Sequence, residues 1–248
     1  MLKRALIVGA SSGIGAQLAR VLANQGHHVG LVARRQEQLD ALATELRAAH
    51  PDRVFAVRAH DVRNPGEAAG LFAELTEELG GMDLVVYAAG VMPAVEPDEF
   101  DTEKDRAMVE VNLTGAIAWL NPAAQRFSDL KEGTIVGLGS VAGDRGRRGS
   151  PVYCASKAAL STYLESLRNR LSQHGVQVLT IKPGPVATPM TEGLGKLPML
   201  IPVEQAADSI WAAIASGNDT TAYVPGQWKP IMLAIRHVPS LLFRRLNI

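Results

Sequence analysis

A tyrosine and a lysine four residues apart are the first candidates for chemistry in this sequence. Tyr153 and Lys157 fall at the start of a strongly helical stretch, where residues four apart project from one face. A free phenol has a pKa near ~10 and is a poor acid-base group at neutral pH. An ammonium group about 4 Å away favours the phenolate by up to ~4 kcal/mol at an effective dielectric of about 20, so we expect Lys157 to lower the pKa of Tyr153. The pair therefore predicts general acid-base catalysis.

Ser140 is a third candidate, because it follows an apolar run that predicts a strand and precedes Tyr153 by thirteen residues. A hydroxyl there would donate to a substrate oxygen and stabilise the charge that develops on it. A lone tyrosine and lysine at this spacing are more often a helix residue and a surface charge, so the prediction depends on all three residues. We interpret Cys154, next to Tyr153, as a small core residue.

Glycines between the first predicted strand and the first predicted helix indicate a phosphate-binding turn. Gly9, Gly13 and Gly15 let the backbone turn tightly and approach a pyrophosphate, whose charge the helix N-terminus stabilises. Ser11 and Ser12 lie in the same loop. The GxxxGxG spacing differs from the common GxGxxG, and in some chains such a turn is only a tight connection. After the first strand of an alternating series, it predicts a dinucleotide site.

The end of the second predicted strand indicates which dinucleotide binds. An NAD site usually has an acid there to hold the ribose 2′-hydroxyl. This chain has Arg34 and Arg35, and the nearest acid, Glu37, lies in the next helix. A guanidinium suits a 2′-phosphate by charge and by forked geometry. We predict NADP(H) in preference to NAD(H), with Arg34 ahead of Arg35; the alternative is that both arginines lie in solvent at a helix start.

Asp61 follows the third predicted strand. Its carboxylate would accept a hydrogen bond from the adenine amine of a bound dinucleotide. Asn64 and Pro65 also predict the start of a helix. A helix-capping role for Asp61 is therefore almost as strongly favoured as the contact with adenine.

Strands and helices alternate along the chain, and this order positions the candidate residues. Short apolar runs typical of buried strands occur at 6–8, 29–32, 54–57, 84–87, 134–136 and 176–181, with helical patterns between them. The predicted fold is a single α/β domain, a doubly wound parallel sheet with helices on both faces. Ligands of such sheets bind beyond the carboxyl ends of the strands. Six of these ends carry Gly, Ser, Asp or Arg: residues 9–15, Arg34-Arg35, Asp61, Ala89-Gly90, Ser140 and Pro183-Gly184.

Composition argues against several classes of protein. The 248 residues include 25 Lys and Arg against 25 Asp and Glu, so the basic excess typical of nucleic-acid binding is absent. One cysteine cannot form an internal disulfide, and the six histidines lack metal-ligand spacing, so we predict no metal site. No apolar run reaches the ~18 residues of a membrane span, and the N-terminus lacks a signal-peptide core. We expect a cytoplasmic protein.

Several motifs occur together in one order: 9–15, Ala89-Gly90, Asn112, Ser140-Val141-Ala142-Gly143, Tyr153-Cys154-Ala155-Ser156-Lys157 and 183–188. From about residue 3 to residue 226, the chain resembles the short-chain dehydrogenase/reductase family, which has a Rossmann-like fold. The resemblance implies that Tyr153 exchanges the proton, Ser140 orients a carbonyl, and Lys157 holds the nicotinamide ribose. Asn112 would complete a tetrad by holding a water in a proton relay. From the residues alone, a kink or a bound water explains Asn112 equally well.

The resemblance also implies further cofactor contacts and partners. Ile14 would lie by the cofactor, Asp61 and Val62 by the adenine, and Val186 and Thr188 by the nicotinamide. A homodimer or homotetramer would form through the helices at 105–129 and 153–172. The remaining predicted cofactor contacts are Ala89, Gly90, Tyr153, Lys157, Pro183 and Gly184.

Two positions depart from the family pattern. Tyr87 and Ala88 stand where two asparagines are usual, which puts a hydrogen bond that braces the sheet in doubt. Ser12 stands where NADP-preferring members often have a basic residue. The cofactor preference therefore rests on Arg34 and Arg35.

The C-terminal quarter carries the signals about substrate and partners. Flexible Met and Leu side chains between Pro189 and Ile201 lie where the family has its substrate lid, and they favour an apolar substrate; alternatively they bury against the domain. Beyond the predicted catalytic domain of residues 1–226, residues 227–248 combine apolar and basic side chains with no acid. This extension would pack on its own domain, on a partner subunit or on an anionic membrane surface.

The leading prediction is an NADP(H)-dependent oxidoreductase that transfers hydride between the cofactor and a carbonyl or secondary alcohol of a hydrophobic substrate, with Tyr153 as general acid/base. The alternative is a non-catalytic dinucleotide-sensing or scaffold protein. A sensor has no need of a tuned phenol, so the set of Ser140, Tyr153 and Lys157 favours the enzyme.

Overall fold

A single parallel sheet runs through the molecule. The computed structural model describes residues 3–96, 98–217 and 219–246, and in this part of the chain the sheet has seven strands in the order β3-β2-β1-β4-β5-β6-β7. The order changes direction between β1 and β4, which is where such sheets open a crevice for a ligand. The strands are β1 (Lys3–Val8), β2 (His27–Ala33), β3 (Phe55–Ala59), β4 (Leu84–Tyr87), β5 (Thr134–Leu138), β6 (Gln177–Pro183) and β7 (Thr221–Val224).

Helices cover both faces of this sheet, because each presents an apolar stripe to it. The helices are α1 (Gly13–Asn24), α2 (Gln36–Ala49), α3 (Ala68–Glu78), α4 (Thr102–Val109), α5 (Gly115–Leu130), α6 (Pro151–Leu171), α7 (Val203–Ala215), α8 (Trp228–His237) and α9 (Ser240–Phe243). On one face α1, α2 and α7 bury side chains such as Leu18, Leu39 and Ile210. On the other, α3 and α5 bury Phe72 and Trp119. Two core layers result.

The predicted doubly wound parallel sheet is confirmed, and its details are extended. The third strand was predicted at 54–57, but β3 begins at Phe55. Val54 is exposed and lies before the strand. The apolar periodicity of the sequence does not predict helix α7. Much of the face that α7 buries consists of alanines, such as Ala206 and Ala207, which give a weaker pattern than leucines. The short strand β7 completes the sheet beside β6.

A π-helical turn, Glu110–Thr114, separates α4 from α5. It contains Asn112, whose side chain is fully buried. A wider turn of this kind inserts a residue into the helical ladder and often marks a functional position. A local irregularity of the helix was one explanation of Asn112 from the sequence, and the π-helical turn is such an irregularity.

Candidate active site

A cleft of about 640 Å³ opens at the carboxyl ends of the strands. Five of the six predicted strand ends contribute to its wall. After the third strand, His60 and Val62 line the cleft and Asp61 does not. The predicted residues that line the cleft are Gly9, Ser11, Ser12, Gly13, Ile14, Gly15, Arg34, Arg35, Val62, Ala89, Gly90, Ser140, Tyr153, Lys157, Pro183, Gly184, Val186 and Thr188. One continuous cavity thus joins the predicted phosphate loop to the predicted catalytic residues.

The glycine loop between β1 and α1 has a backbone conformation that residues with side chains could adopt only with strain or steric clash. Gly9 has a φ of +100°, and Gly13 has a φ of +55°. A Cβ atom on Gly15 would lie 2.1 Å from the carbonyl oxygen of Gly9. The loop therefore folds back closely on itself and leaves its main chain open to the cleft at the start of α1. Backbone amides at a helix N-terminus favour an anion, so these residues fit the pyrophosphate of a dinucleotide.

Two arginines after β2 line the same end of the cleft. Arg35 donates from Nη2 to Ser11 Oγ at 2.9 Å and to Ser12 Oγ at 2.6 Å. Its guanidinium therefore lies across the glycine loop, where a nucleotide phosphate would be adjacent. Arg34 lies near Asp61, since its charge contributes to the lowered pKa of that carboxyl.

Asp61 is engaged by a nearby arginine. Its carboxylate accepts from the Arg63 backbone N–H at 3.0 Å and from Arg63 Nη2 at 2.6 Å, and the side-chain bond is the main reason that its pKa is lowered. The next turn begins at Pro65 after Asn64, so this contact differs from the helix cap considered above. Val62 and His60 face the cleft in its place.

Ser140, Tyr153 and Lys157 meet at the other end of the cleft. Ser140 follows β5 and caps a short turn, its Oγ accepting from the Ala142 N–H at 3.0 Å. Tyr153 and Lys157 lie on one face of α6, with Lys157 Nζ 5.9 Å from the centre of the phenol ring. The ammonium donates to the Leu138 carbonyl at 2.9 Å. All three side chains are buried at the base of the cleft.

Burial governs the acid-base properties of this group. It raises the pKa of Tyr153 above its ordinary value, while a hydrogen bond with Ser140 acts in the opposite direction. Burial also lowers the pKa of Lys157 to about 8. The prediction that the pKa of Tyr153 is lowered is therefore wrong for this site, because desolvation of the phenolate outweighs the interactions that lower the pKa. The phenol is held protonated at neutral pH.

Asn112 anchors the backbone beside this site. Its Oδ1 accepts from the Val91 N–H at 2.8 Å, and its Nδ2 donates to the Val91 carbonyl at 3.0 Å and to Ser156 Oγ at 3.1 Å. The amide thus ties the chain after β4 to α6. It lies behind the cleft wall, and a Cβ on Gly90 would come within 3.4 Å of its oxygen.

Tyr87 is the last residue of β4, at the first of the two positions where the resemblance implies asparagines. Its side chain is fully buried, and its hydroxyl donates to the Val111 carbonyl at 2.5 Å. This bond joins the end of β4 to the π-helical turn.

An apolar loop after β6 borders the cleft. Val186 pairs with Ile201 in an isolated bridge, so the residues between them form a loop closed at its base. Met190, Leu194 and Leu197 line the cleft, as the prediction of an apolar lid requires. The same loop leaves Met199 and Leu200 partly exposed.

Several residues that line the cleft were not predicted from the sequence. Arg147, Ser150 and Met92 line the wall near Tyr153. No spacing or composition signal separates Arg147 from the other two arginines of the segment between Ser140 and Tyr153.

The C-terminal extension lies against the segment that follows Ser140. Trp228 and Met232 bury together with Val141, and Arg145 Nη1 donates to the Val238 carbonyl at 2.5 Å. Its described part thus contacts its own domain, while contact with a subunit or a membrane stays a prediction. In the described ranges no helix is long and apolar enough to cross a bilayer, and no cluster of side chains suited to a metal occurs there. The exposed apolar residues of the extension are Leu233, Leu241, Leu242 and Leu246.

Comparison with known proteins assigns the family. A family model described as short chain dehydrogenase matches residues 3–197. An uncharacterized oxidoreductase of Myxococcus xanthus is 37% identical over 242 residues, covering 97% of this chain and 94% of that protein. An uncharacterized oxidoreductase of Mycobacterium tuberculosis is 32% identical over 244 residues, covering 98% of this chain and 96% of that protein.

A solved structure agrees with the sequence relatives. The short-chain dehydrogenase from Sphingobium yanoikuyae in complex with NADPH has a TM-score of 0.83 and 26% identity, covering 96% of this chain and 97% of that chain. With the parallel sheet, the glycine loop and the matched family model, the chain is an oxidoreductase that belongs to the short-chain dehydrogenase family.

Proposed function

We propose that this protein transfers hydride between NADP(H) and a carbonyl or secondary alcohol of a hydrophobic substrate, with Tyr153 as general acid/base. The observation that carries the proposal is one cleft with Arg34 and Arg35 at one end and Ser140, Tyr153 and Lys157 at the other. A purely sensing protein would have no need of a buried phenol, hydroxyl and ammonium together.

The cofactor preference rests on the charge beside the glycine loop. Arg34 and Arg35 suit a ribose 2′-phosphate, and the loop amides at the start of α1 suit the pyrophosphate. The relative from Sphingobium yanoikuyae is a complex with NADPH, which supports this choice. When bound, the cofactor supplies hydride to the carbonyl carbon or takes it up from the alcohol carbon.

Proton transfer falls to the chain's own residues. In reduction, Tyr153 Oη donates its proton to the carbonyl oxygen, and Ser140 Oγ donates a hydrogen bond to the same atom as negative charge develops there. A phenol kept protonated by burial suits this direction. The Lys157 ammonium, fixed by the Leu138 carbonyl, lies beside the ring and favours the phenolate that remains.

The experiment is turnover of a panel of apolar ketones with NADPH, followed by nucleotide fluorescence. We expect Tyr153→Phe to lower kcat by about 10²–10⁴-fold, the usual contribution of a positioned acid-base group, while NADPH still binds. Turnover that survives in Tyr153→Phe would remove the assigned role of the phenol. Tight nucleotide binding with no turnover of any ketone would favour the alternative, a non-catalytic dinucleotide-sensing protein.

The remaining predictions concern the protein's surroundings. We propose a cytoplasmic homodimer or homotetramer that associates through the helices at 105–129 and 153–172. Analytical ultracentrifugation tests the oligomeric state, and a monomer at micromolar concentration would contradict it.

A further inference from the structure

The cleft wall carries positive charge that the proposed reaction only partly uses. Its charged side chains are Arg34, Arg35, Arg147 and Lys157, and none of its lining residues is Asp or Glu. The whole chain nevertheless holds equal numbers of acids and bases. Two of these cations serve the nucleotide and one serves the phenol, so Arg147 is left without a role.

Arg147 differs from the two arginines beside it. Arg145 donates to carbonyls of the C-terminal extension, among them that of Val238, and Arg148 donates to the Arg244 carbonyl at 3.2 Å. Arg147 makes no hydrogen bond or ion pair with any described residue, and it faces the cleft. Of three similar side chains in one segment, this one is therefore available to a ligand.

The position of Arg147 is the substrate end of the cleft. Its segment links β5 to α6, whereas Arg34 and Arg35 follow β2 on the other side of the point where the strand order reverses. Its charge also acts on Tyr153, whose pKa it draws downward. A cation thus stands within electrostatic reach of the phenol and remote from the nucleotide arginines.

The cleft that Arg147 faces also has apolar lining residues. Met92, Met190, Leu194 and Leu197 contribute to its wall. A half-buried guanidinium among such side chains loses hydration, and an anion with hydrogen-bonding oxygens compensates for that loss. A forked guanidinium matches a carboxylate in particular.

We propose that Arg147 binds a carboxylate of the substrate, carried on an apolar chain or ring away from the reacting carbonyl. The proposal rests on the proposed function, because it assigns a substrate class to the same cleft: apolar oxo acids and the corresponding hydroxy acids. Apolar walls take up the body of such a molecule, and Arg147 orients it by its charged end so that the carbonyl faces Tyr153 and Ser140.

A binding experiment tests the site without turnover. Decanoate and its neutral match decanamide are titrated calorimetrically into the protein in the presence of NADP⁺. We expect the wild-type protein to bind decanoate at least tenfold more tightly than decanamide, and Arg147→Ala to bind the two within twofold of each other. Arg148→Ala, which removes the same charge from the neighbouring residue, should keep the wild-type preference. The proposal is overturned if the wild-type protein shows no preference or if Arg147→Ala retains it.

A turnover experiment separates this proposal from the proposed function. With NADPH, 9-oxodecanoate and its methyl ester are compared, and the acid-to-ester ratio of kcat/KM should fall at least tenfold in Arg147→Ala. If neither compound is reduced while the decanoate preference depends on Arg147, the proposed reduction of apolar ketones fails and the carboxylate site stands. If both are reduced with a ratio that Arg147→Ala leaves unchanged, the activity stands and the carboxylate site is wrong.

Discussion

The two ends of the cleft are built in different ways. The nucleotide end consists of a glycine loop and two arginines, all within the first 35 residues and joined by consecutive elements. The catalytic and substrate end is assembled from segments far apart in the chain, and its Ser140–Ser150 segment is held by the buried ion pair of Asp144 with Lys182 and by the C-terminal extension. The nucleotide end therefore depends on local backbone geometry and the catalytic end on long-range contacts, so substitutions can disrupt the two ends separately.

Asp144→Asn should have the largest effect on stability, and it acts on the substrate end. The Asp144 side chain is 1% exposed; it pairs with Lys182 and accepts from the Tyr223 hydroxyl at 2.7 Å. Loss of the carboxylate leaves the buried Lys182 ammonium without its counterion, which costs about 3–5 kcal/mol. We expect urea unfolding to show that loss, with NADPH affinity in the folded variant changed less than twofold.

An exposed aspartate provides the control for that substitution. Asp52 is 70% exposed and contacts Arg53 at 3.3 Å, so Asp52→Asn should change the unfolding free energy by less than about 0.5 kcal/mol. Equal losses in the two variants would contradict the importance of the buried pair. A large loss of NADPH affinity in Asp144→Asn would show that the two ends are coupled.

Gly15→Ala breaks the nucleotide end. The added methyl group would lie 2.1 Å from the Gly9 carbonyl oxygen, and relief of such a clash costs typically about 1–3 kcal/mol. We expect that loss in urea unfolding together with weaker NADPH binding. Gly70→Ala is the matched control, because Gly70 lies in α3 with open space around its Cβ position and alanine there should stabilise by up to ~1 kcal/mol. A stable Gly15→Ala protein with normal NADPH affinity would be inconsistent with the close turn.

The difference between the two ends also explains what the sequence could predict. The loop at 9–15 could be predicted because glycine spacing alone sets its backbone. The pair of Tyr153 and Lys157 could be predicted because helical spacing sets its geometry. Arg147 could not be distinguished from Arg145 and Arg148, since only tertiary contacts decide which arginine is engaged.

Two further features were beyond sequence reasoning for the same reason. The pKa of Tyr153 is raised and not lowered as predicted, because the spacing of Tyr153 and Lys157 reveals a nearby charge but not the depth at which the phenol is buried. The replacement of an amide by Tyr87 has a consequence that only the packing reveals, namely the bond to the Val111 carbonyl.

Arg35→Ala sharpens the description of the nucleotide end. Arg35 lies on Ser11 and Ser12 of the loop, where its charge would meet a 2′-phosphate. We expect NADPH to bind about tenfold more weakly, or about 1.4 kcal/mol, and NADH affinity to change less than twofold. Arg20→Ala removes an arginine that pairs with Glu45 outside the cleft and should leave both affinities unchanged. Equal losses for NADPH and NADH would assign Arg35 to the loop structure rather than to the phosphate.

Lys157→Met has the smallest expected effect and tests the catalytic end through its pH dependence. Burial lowers the pKa of Lys157 from 10.5 to about 8. Between these values the unfolded chain binds a proton that the folded protein has lost, so the free energy of unfolding of the wild-type protein rises with pH there. The variant lacks this contribution, and its stability relative to wild type should fall by about 1 kcal/mol between pH 7 and pH 9.

Urea unfolding at pH 7, 8 and 9 measures that difference, with the exposed Lys229→Met as control. In the control the relative stability should be the same at the three pH values, because Lys229 is exposed and folding does not bury its charge. Parallel wild-type and Lys157→Met curves would mean that Lys157 keeps its ordinary pKa despite its burial. The desolvation argument for Lys157 would then be wrong, and the same argument for the raised pKa of Tyr153 would lose its support.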